Sequence, residues 1–389
     1  MKVFSSALIF LLGVVFTAGA VETWYLQPSG TKANLNSISC VDVNTCYAVG
    51  DSGVILKTTN GLNWTPQISG TTSNLTSVCF VDFLKGYVLI NDGRTLGTTD
   101  GGATWNLQTG FPVFSSLYFA DAKNGHGMGS LIWNTMDGGT TWTGSYPTTN
   151  EMESIKFISF VNAQVGYAET YSSEYVDVSD LYGYYDIIST YKLYKTTDGG
   201  DTWNAESVLF TGDSYPYSSS NTEDFTLYFM DVDHGYAVNG EDSLFSTVNG
   251  GINWTHQSGG KHNIRSMGFQ NADLVYAVGD SGMVLETQNG GSGWKTVISG
   301  FTKNNLNSIN VIDSTAYIVG NGGYIIKKIG QPVPILQSMV LNQKHSILRS
   351  SIDPWYGFRL PDNRVFNILG RQPQYQSFPL HNQNLNQSC

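Results

Sequence analysis

The sequence predicts an all-β, seven-bladed β-propeller, and three observations support that fold class. A short motif that ends in tryptophan recurs along the chain, with several intervals close to 40 residues. Each repeat also contains short runs of β-branched and aromatic residues separated by Gly, Asn and Asp, which is the pattern of strands joined by tight turns. The last repeat lacks its fourth strand, and a matching strand stands at the other end of the repeat region.

Residues 1–20 are predicted to be a secretory signal peptide. Lys2 precedes an apolar run over residues 7–16, and the small residues Ala18, Gly19 and Ala20 follow. This order is typical of a cleaved leader, and the run is shorter than the roughly 20 residues that a membrane-spanning helix needs. We therefore expect a secreted protein, extracellular or lumenal, with no transmembrane segment.

The repeat occupies residues 21–330. Its common element is Thr-x-Asp-Gly-Gly-x-Thr-Trp, as in the segment from Thr98 to Trp105. The element ends at Trp64, Trp105, Trp142, Trp203, Trp254 and Trp294, and its acidic or amide position holds Asn60, Asp100, Asp137, Asp198, Asn249 and Asn289. Segments such as Cys46-Tyr-Ala-Val-Gly supply the strands, and four strands in a repeat of about 40 residues indicate one propeller blade.

The order of the strands predicts how the ring closes. After Trp294 the chain supplies three more strands, within residues 308–327, and then the tryptophan element is missing. The missing outer strand is expected in residues 22–27. Joining the two ends makes a seventh blade and removes open sheet edges. Residues 331–389 lack the repeat, are rich in Gln, Asn and Pro, and carry a net positive charge, so we expect a poorly ordered C-terminal tail.

The repeated motif is interpreted as structural. Asp and Asn accept hydrogen bonds from the backbone amides of a turn, Gly adopts positive φ, and Trp packs between sheets. A feature that recurs once per blade serves each blade, so these residues are not predicted to be ligands.

Composition and charge exclude several function classes. Residues 21–330 carry 29 acidic and 14 basic side chains, a net charge of −15, which disfavours nucleic acid and favours a cationic protein or a carbohydrate partner. The sequence contains no nucleophile elbow, phosphate-binding loop or metal-binding histidine motif. We expect a monomer without metal or cofactor.

Cysteines and glycosylation motifs fit an oxidising, lumenal route. Cys40 and Cys46 flank a short loop between two predicted strands, which is compatible with a disulfide. Cys79 and Cys389 have no evident partner. Four Asn-x-Ser/Thr motifs provide possible glycosylation sites at Asn63, Asn74, Asn253 and Asn386.

The repeat resembles known propeller families. Its Thr-x-Asp-x-Gly-x-Thr-Trp element resembles the Asp-box (BNR repeat) of sialidases and sortilin-type receptors. The longer pattern Tyr-Ala-Val-Gly-Asp-Ser-Gly, which begins at Tyr47 and again at Tyr276, resembles the photosystem II stability and assembly factor family over nearly all of residues 21–330. This resemblance implies a role in assembling a photosystem reaction-centre protein at the thylakoid, through an arginine-rich partner-binding surface.

Two features favour a secreted relative of that family. Arg94 and Arg265 are the only arginines in residues 21–330, so an arginine-rich surface is not expected. The leader also lacks the Arg- and Ser-rich composition of a plastid transit peptide. Photosystem II assembly is retained as an alternative function.

Two insertions mark the candidate binding surface. They widen the tryptophan spacing at residues 171–189, expected as the strand 2–3 loop of blade 4, and at residues 211–224, expected as the link to blade 5. The candidate binding residues are Tyr175, Tyr182, Tyr184, Tyr185, Asp186, Tyr215, Tyr217, Glu223 and Asp224. Because tyrosines dominate binding hot spots and long loops on rigid scaffolds carry function, we expect an acidic, tyrosine-rich ridge. The alternative is that these residues form a solvated surface that binds no partner.

A non-enzymatic binding scaffold is the preferred function. A sialidase clamps its substrate with three arginines, and two arginines cannot form that clamp. Glycoside hydrolysis by another mechanism needs two suitably spaced carboxylates, for which Glu151, Glu153, Glu223 and Asp224 are the candidates. His126 and His234 fall in predicted strand 1–2 turns on the opposite face and are expected to be turn residues.

Overall fold

A computed structural model describes residues 23–150, 153–177, 185–214, 225–239, 244–257, 263–298, 302–329, 358–359 and 365–366. The chain divides into two units, Met1–Gln331 and Pro332–Cys389. In the second unit, strands Phe358–Arg359 and Val365–Phe366 pair antiparallel. The predicted leader, the predicted boundary at residue 330 and most of the predicted tail lie outside the described residues.

The first unit is a seven-bladed β-propeller, which confirms the predicted fold class, and each blade is a four-stranded antiparallel sheet. Strand β1 is Thr23–Gln27. Blade 1 contains β2 (Leu35–Cys40), β3 (Cys46–Gly50), β4 (Ile55–Thr58) and β5 (Thr65–Gln67); blade 2 contains β6 (Leu75–Phe80), β7 (Gly86–Ile90), β8 (Thr95–Thr98) and β9 (Asn106–Leu107). Blade 3 contains β10 (Ser116–Phe119), β11 (Gly125–Met128), β12 (Ile132–Thr135) and β13 (Thr143–Ser145).

The other four blades follow the same order. Blade 4 contains β14 (Ser154–Phe160), β15 (Gly166–Asp177), β16 (Tyr185–Thr196) and β17 (Asn204–Ser214); blade 5 contains β18 (Phe225–Phe229), β19 (Gly235–Asn239), β20 (Leu244–Thr247) and β21 (Thr255–Gln257). Blade 6 contains β22 (Ile264–Phe269), β23 (Val275–Gly279), β24 (Val284–Thr287) and β25 (Lys295–Ile298). Blade 7 contains β26 (Leu306–Ile312), β27 (Thr315–Gly320), β28 (Tyr324–Ile329) and β1.

The N-terminal strand closes the ring as predicted. Strand β1 pairs antiparallel with β28, with Trp24 opposite Lys328. The Trp24 ring also packs edge-on against Tyr276 of blade 6, at 5.7 Å between ring centroids. The two ends of the propeller are therefore held in one sheet, and that sheet is packed against its neighbour.

The hydrophobic core lies between the blades. In the described part of the propeller, seven clusters of buried residues each join two neighbouring blades. The cluster of Leu35, Ala48, Tyr317, Val319 and Ile325 joins blade 1 to blade 7. Because every blade buries both of its faces against neighbours, the strands carry long apolar runs on both sides rather than on one.

Strand direction gives the ring two distinct faces. Successive strands in a blade are antiparallel, so the connections alternate between the two ends of the blade. We call the face with the strand 1–2 and strand 3–4 turns the turn face. We call the face with the strand 2–3 turns and the blade-to-blade connections the linker face.

Tyrosines of the second strands connect blades 1, 2, 4 and 7 to the turn face of the next blade. The Tyr47 hydroxyl and the Lys57 ammonium group of blade 1 both donate to the Gly101 carbonyl of blade 2, at 2.9 and 2.7 Å. Corresponding bonds run from Tyr87 to Gly138, from Tyr167 to Val232 and from Tyr317 to Val43. These bonds add directional contacts to the apolar packing between blades.

The position of His126 differs from the prediction. His126 lies within β11 rather than in a turn, and it occupies the second-strand position that tyrosine fills in the other blades. It is 2 % exposed, and its ring stacks on Phe160 of blade 4 at 3.5 Å. The Gly and His residues at the strand start were misread as turn residues. His234, by contrast, does lie in the strand 1–2 turn of blade 5, beside Asp231.

Candidate functional site

Blade 4 is much taller than the other blades. Strands β15 and β16 have 12 residues each and β17 has 11, whereas the described strands of the other blades do not exceed seven. The additional length lies at the linker face. We call residues 172–177, 185–190 and 211–214 the blade 4 extension.

The extension corrects the prediction of a long loop at residues 171–189. Strand pairing continues without interruption from Gly166 opposite Thr196 to Asp177 opposite Tyr185, and β17 pairs with β16 as far as Ser214. The inserted segments contain Val176, Ile187, Ile188 and several tyrosines, which are residues with high strand propensity. The insertion therefore lengthens the sheet instead of forming an irregular loop.

Three of the nine candidate binding residues lie in the extension. Tyr175 is opposite Ile187, Asp186 is opposite Val176, and Tyr185 is opposite Asp177. The remaining candidates, Tyr182, Tyr184, Tyr215, Tyr217, Glu223 and Asp224, lie outside the described residues. The acidic, tyrosine-rich ridge therefore stays a prediction. The structure describes the backbone of the sheet that would carry it.

The foot of the extension is tightly packed. The Tyr171 and Tyr191 rings lie 5.0 Å apart, and the Tyr171 hydroxyl lies 3.3 Å from the Ser189 hydroxyl. The Lys156 ammonium group sits over the Tyr171 ring at 5.0 Å. These contacts anchor the extension in the body of the propeller, whereas Glu174, farther along β15, is exposed.

Of the four predicted glycosidase carboxylates, Glu153 is the one that lies within the described residues. Its carboxylate already has side-chain partners. Its carboxylate is 2 % exposed and lies 2.6 Å from the Lys192 ammonium group; the Thr170 and Tyr194 hydroxyls also donate to it, at 2.8 and 3.1 Å. Burial raises the pKa of Glu153, but these hydrogen bonds outweigh burial and lower the pKa overall. Glu151, Glu223 and Asp224 lie outside the described residues.

The acidic residues of short strand 2–3 turns are also engaged. Asp51 accepts hydrogen bonds from the side-chain amides of Asn34 and Asn36, at 2.9 and 3.0 Å. Asp92 forms an ion pair with Arg94 at 2.7 Å, and Asp280 forms one with Arg265. The two arginines of the propeller are therefore each neutralised by a carboxylate on the linker face.

The repeated aspartates bind their own turns. Asp100 accepts from the Thr104 amide and hydroxyl at 2.9 and 2.6 Å and from the Thr98 hydroxyl at 2.8 Å. These bonds lower the pKa of Asp100 to about 2, and Gly101 and Gly102 adopt φ of 67° and 83°. Equivalent hydrogen bonds are made by Asp137, Asp198, Asn249 and Asn289.

The tryptophans that end the motif pack between blades. Trp105 is 8 % exposed and meets Phe80 edge-on, with ring centroids 5.8 Å apart. Trp64, Trp203, Trp254 and Trp294 make corresponding edge contacts with Tyr317, Phe160, Phe229 and Tyr236, and Trp142 packs among three phenylalanines. The geometry of the whole motif is that of a turn and a packing anchor.

The cysteines and glycosylation motifs have defined positions. The sulfur atoms of Cys40 and Cys46 lie 2.10 Å apart, at bonding distance. Burial raises the pKa of the Cys79 thiol. Asn63, Asn74 and Asn253 are exposed, and Asn386 lies outside the described residues.

Within the described residues, no group of three or more His, Cys, Asp or Glu side chains is placed to hold a metal ion. In the same residues, no helix is long and apolar enough to cross a membrane.

Sequence reasoning missed an aromatic groove between blades 2 and 3. The groove is lined by Phe111, Phe114, Trp133 and Trp142. A signal was present: the linker Gly110-Phe-Pro-Val-Phe-Ser replaces the Ser-Gly-Thr linkers found before blades 1 and 2. The sequence alone did not predict a groove from this linker, because the four aromatic residues come from three separate segments.

Comparisons with known proteins support the fold. No protein-family model and no curated protein matches the sequence. Among solved structures, YCF48 bound to D1 peptide has a TM-score of 0.58 and 16 % identity, covering 79 % of this chain and 97 % of that one. YCF48 from Cyanidioschyzon merolae has a TM-score of 0.59 and 18 % identity, covering 79 % and 98 %.

A glycoside hydrolase is also similar in fold. The Niastella koreensis GH74 enzyme has a TM-score of 0.51 and 17 % identity, and the match covers 78 % of this chain and 53 % of the enzyme. Binding proteins and an enzyme therefore share this architecture. At these identities the comparisons show the propeller fold, and function depends on the site.

Proposed function

We propose that this chain is a non-enzymatic binding propeller that holds a cationic protein segment on the blade 4 extension. The observation that carries the proposal is the extension itself, in which three neighbouring strands continue past the height of every other described blade. A structured projection on a rigid ring is a typical position for a binding surface.

Charge supports a cationic partner. Residues 157–260 contain 15 acidic side chains and two basic ones, Lys192 and Lys195. Lys192 is paired with Glu153 at 2.6 Å, and Lys195 donates to the Val232 carbonyl at 3.5 Å. With both cations engaged, this sector presents a negative field that attracts a positive partner and repels an anionic one.

The strand edges support an extended partner segment. In the described residues, β14 pairs with β15 only as far as Ser154 opposite Tyr171, so residues 172–177 of β15 continue without β14 beside them. An edge of this kind offers backbone groups to an added strand. We propose that a basic segment pairs along this edge while the tyrosines and carboxylates of the insertions contact its side chains.

The structural comparisons support a protein partner. One similar propeller, YCF48, has been solved with a D1 peptide bound. Photosystem II assembly is the second candidate for this chain, favoured by that likeness and by the repeat pattern. One observation argues against photosystem II assembly: both propeller arginines are paired with aspartates. Neither arginine is therefore free for the arginine-based partner recognition that the resemblance implies.

Glycoside hydrolysis is the enzymatic alternative. The GH74 likeness favours it. However, the Glu153 carboxylate is already paired with Lys192 and accepts hydrogen bonds from Thr170 and Tyr194. A catalytic acid needs a proton at working pH, and this pairing favours the ionised form. We place this alternative below the binding function.

We also propose the secretory route. It is supported by the leader sequence and by the exposure of Asn63, Asn74 and Asn253. On this proposal residues 1–20 are removed, residues 21–330 form the binding domain and residues 331–389 form a tail.

The binding proposal is tested with the full mature chain and a fluorescein-labelled octalysine peptide, followed by fluorescence anisotropy. The pair Asp177→Asn and Asp186→Asn removes two charges from the extension. The matched pair Asp273→Asn and Asp313→Asn removes two exposed charges from the turn face of blades 6 and 7. We expect Kd to rise about fivefold or more for the first pair and less than about twofold for the second.

Equal effects of the two pairs would mean that octalysine responds only to net charge, and would contradict a site on the extension. The same chain is screened against aryl glycosides and neutral oligosaccharides. Turnover that Glu223→Gln abolishes would assign the protein to the glycoside hydrolases instead.

A further inference from the structure

A groove of about 1020 Å³ opens between blades 2 and 3. Its walls come from the strand 2–3 turn of blade 2 at residues 91–93, the connecting segment at residues 110–115, and blade 3. It is separate from the blade 4 extension. A concave site of this size with aromatic walls and a few polar groups has the usual composition of a small-ligand site.

Four aromatic residues contribute to the lining of the groove. Phe111 and Phe114 pack against Trp142, with ring centroids 5.2 and 4.9 Å apart. Phe111 also rests on Gly139, where an added Cβ would lie 2.4 Å from its ring. Trp133 completes the lining. The rings are thus fixed by contacts with one another and with glycine backbone, so they present a preformed surface.

Blade 3 places the half-buried Trp133 indole between two glycines, and the Phe114 ring packs on the Gly127 side, where an added Cβ would lie 2.4 Å from that ring. Trp133 pairs with Gly127 on β11 and with Gly144 on β13, so neither directly opposite residue has a side chain. The corresponding third-strand position, two residues before the motif threonine, holds Leu56, Leu96 and Leu285 in blades 1, 2 and 6. Tyr194 and Phe245 occupy this position in blades 4 and 5 and lie opposite Ala168 and Ala237 on the second strand, so the glycines on both sides of the ring are the feature particular to blade 3.

The rim of the groove is polar and carries no net charge. Asn91, Ser130 and Thr140 line it and are exposed. Within the described residues, the side chains of Asn91 and Ser130 make no hydrogen bond. Asp92, the acidic residue of the lining, is held by Arg94 at 2.7 Å. A ligand can therefore form hydrogen bonds with the rim, but it meets no unpaired charge there.

We propose that this groove binds a neutral carbohydrate. A sugar ring has an apolar face of C–H groups that packs on aromatic rings such as Trp133, and hydroxyls at its edge that bond to amide and hydroxyl groups such as Asn91 and Ser130. An anionic ligand would find no basic side chain in the lining and only a paired arginine, Arg94, beside it, and a purely apolar ligand would leave the rim groups unused.

Isothermal titration of the full mature chain with cellohexaose, maltohexaose, laminarihexaose, mannohexaose and chitohexaose tests the proposal. Trp133→Leu installs the residue of blades 1, 2 and 6, and Phe245→Leu makes the same change at the corresponding position of blade 5. We expect at least one hexasaccharide to bind, with Kd raised about tenfold by Trp133→Leu and less than about twofold by Phe245→Leu. Asn91→Ala, on the exposed rim, is expected to weaken binding while leaving Tm unchanged, and it serves if Trp133→Leu does not fold.

Three results would overturn the proposal. None of the five hexasaccharides binds at millimolar concentration; or binding persists unchanged in Trp133→Leu and Asn91→Ala; or hexagalacturonate binds while the neutral sugars do not. Displacement of the bound sugar by octalysine would place both ligands on one surface and would equally contradict a separate groove site.

Discussion

His126 Nδ1 lies 2.9 Å from the side-chain oxygen of Asn134. The Asn134 amide nitrogen donates in turn to the Gly200 carbonyl of blade 4 at 3.2 Å. Because the amide nitrogen is used as a donor, the Asn134 oxygen is the acceptor, and the hydrogen-bond network assigns the imidazole proton to Nδ1. In blade 3, a neutral histidine and an asparagine together provide the hydrogen bond to a backbone carbonyl of the next blade. A single tyrosine provides this bond in blades 1, 2, 4 and 7.

Acid is expected to weaken the propeller through His126. Burial lowers its pKa to about 4 from 6.5. Between these values the unfolded chain binds more protons than the folded chain, so stability falls as pH falls through this window. We expect His126→Tyr to remove a loss of about 2 kcal/mol between pH 7 and pH 5, measured by urea unfolding. His256→Tyr, at the exposed histidine of β21 in blade 5, is the control; acid sensitivity that is the same in all three proteins would refute the assignment.

Asp100 is expected to act as a turn acceptor and not as a ligand. Asn249 occupies the same position in blade 5 and accepts equivalent hydrogen bonds, from the Thr247 hydroxyl and the Asn253 amide, both at 3.0 Å. Asp100→Asn should therefore lower Tm less than Asp100→Ala, because only alanine leaves the turn donors without an acceptor. Thermal unfolding followed by circular dichroism measures the difference. Equal losses for the two variants would argue against the turn role.

Cys40 and Cys46 are predicted to form a disulfide in an oxidising environment. They are directly opposite each other on β2 and β3, and the loop between them is short. Replacing both by serine should lower the free energy of unfolding by about 2 kcal/mol, the value expected for closing a loop of this size. Peptide mapping with and without reduction identifies the bond. A free thiol at both positions in secreted material would show the prediction to be wrong.

Removing β1 is expected to open the ring. Deletion of residues 21–30 leaves β28 without its outer partner and removes the Trp24 ring from Tyr276. The truncated chain should lose much of its stability and gain a tendency to self-associate through the exposed edge. Thermal unfolding with size-exclusion chromatography checks both effects. A monomer with undiminished Tm would contradict closure by the N-terminal strand.

The repeat made most of the fold predictable, because each blade carries its own turn chemistry and strand pattern. The pairing of β1 with β28 followed from counting strands in the last repeat. The blade 4 extension was misread as a loop because its residues interrupt the repeat, and only the pairing of Tyr175 with Ile187 reveals strand. His126 was misplaced because its role depends on Asn134 of the next strand and, through it, on Gly200 of blade 4, which is distant in sequence. The groove around Trp133 depends likewise on contacts between separate segments.

Hydrogen–deuterium exchange of the full mature chain, with and without octalysine, tests the central claim most directly. If the blade 4 extension holds cationic segments, backbone amides of residues 172–177 should exchange more slowly in the complex, since added backbone pairing along the β15 edge protects them. Blades 1, 2, 6 and 7 should be unchanged. Protection confined to another blade, or binding without any protection in blade 4, would contradict the proposed site.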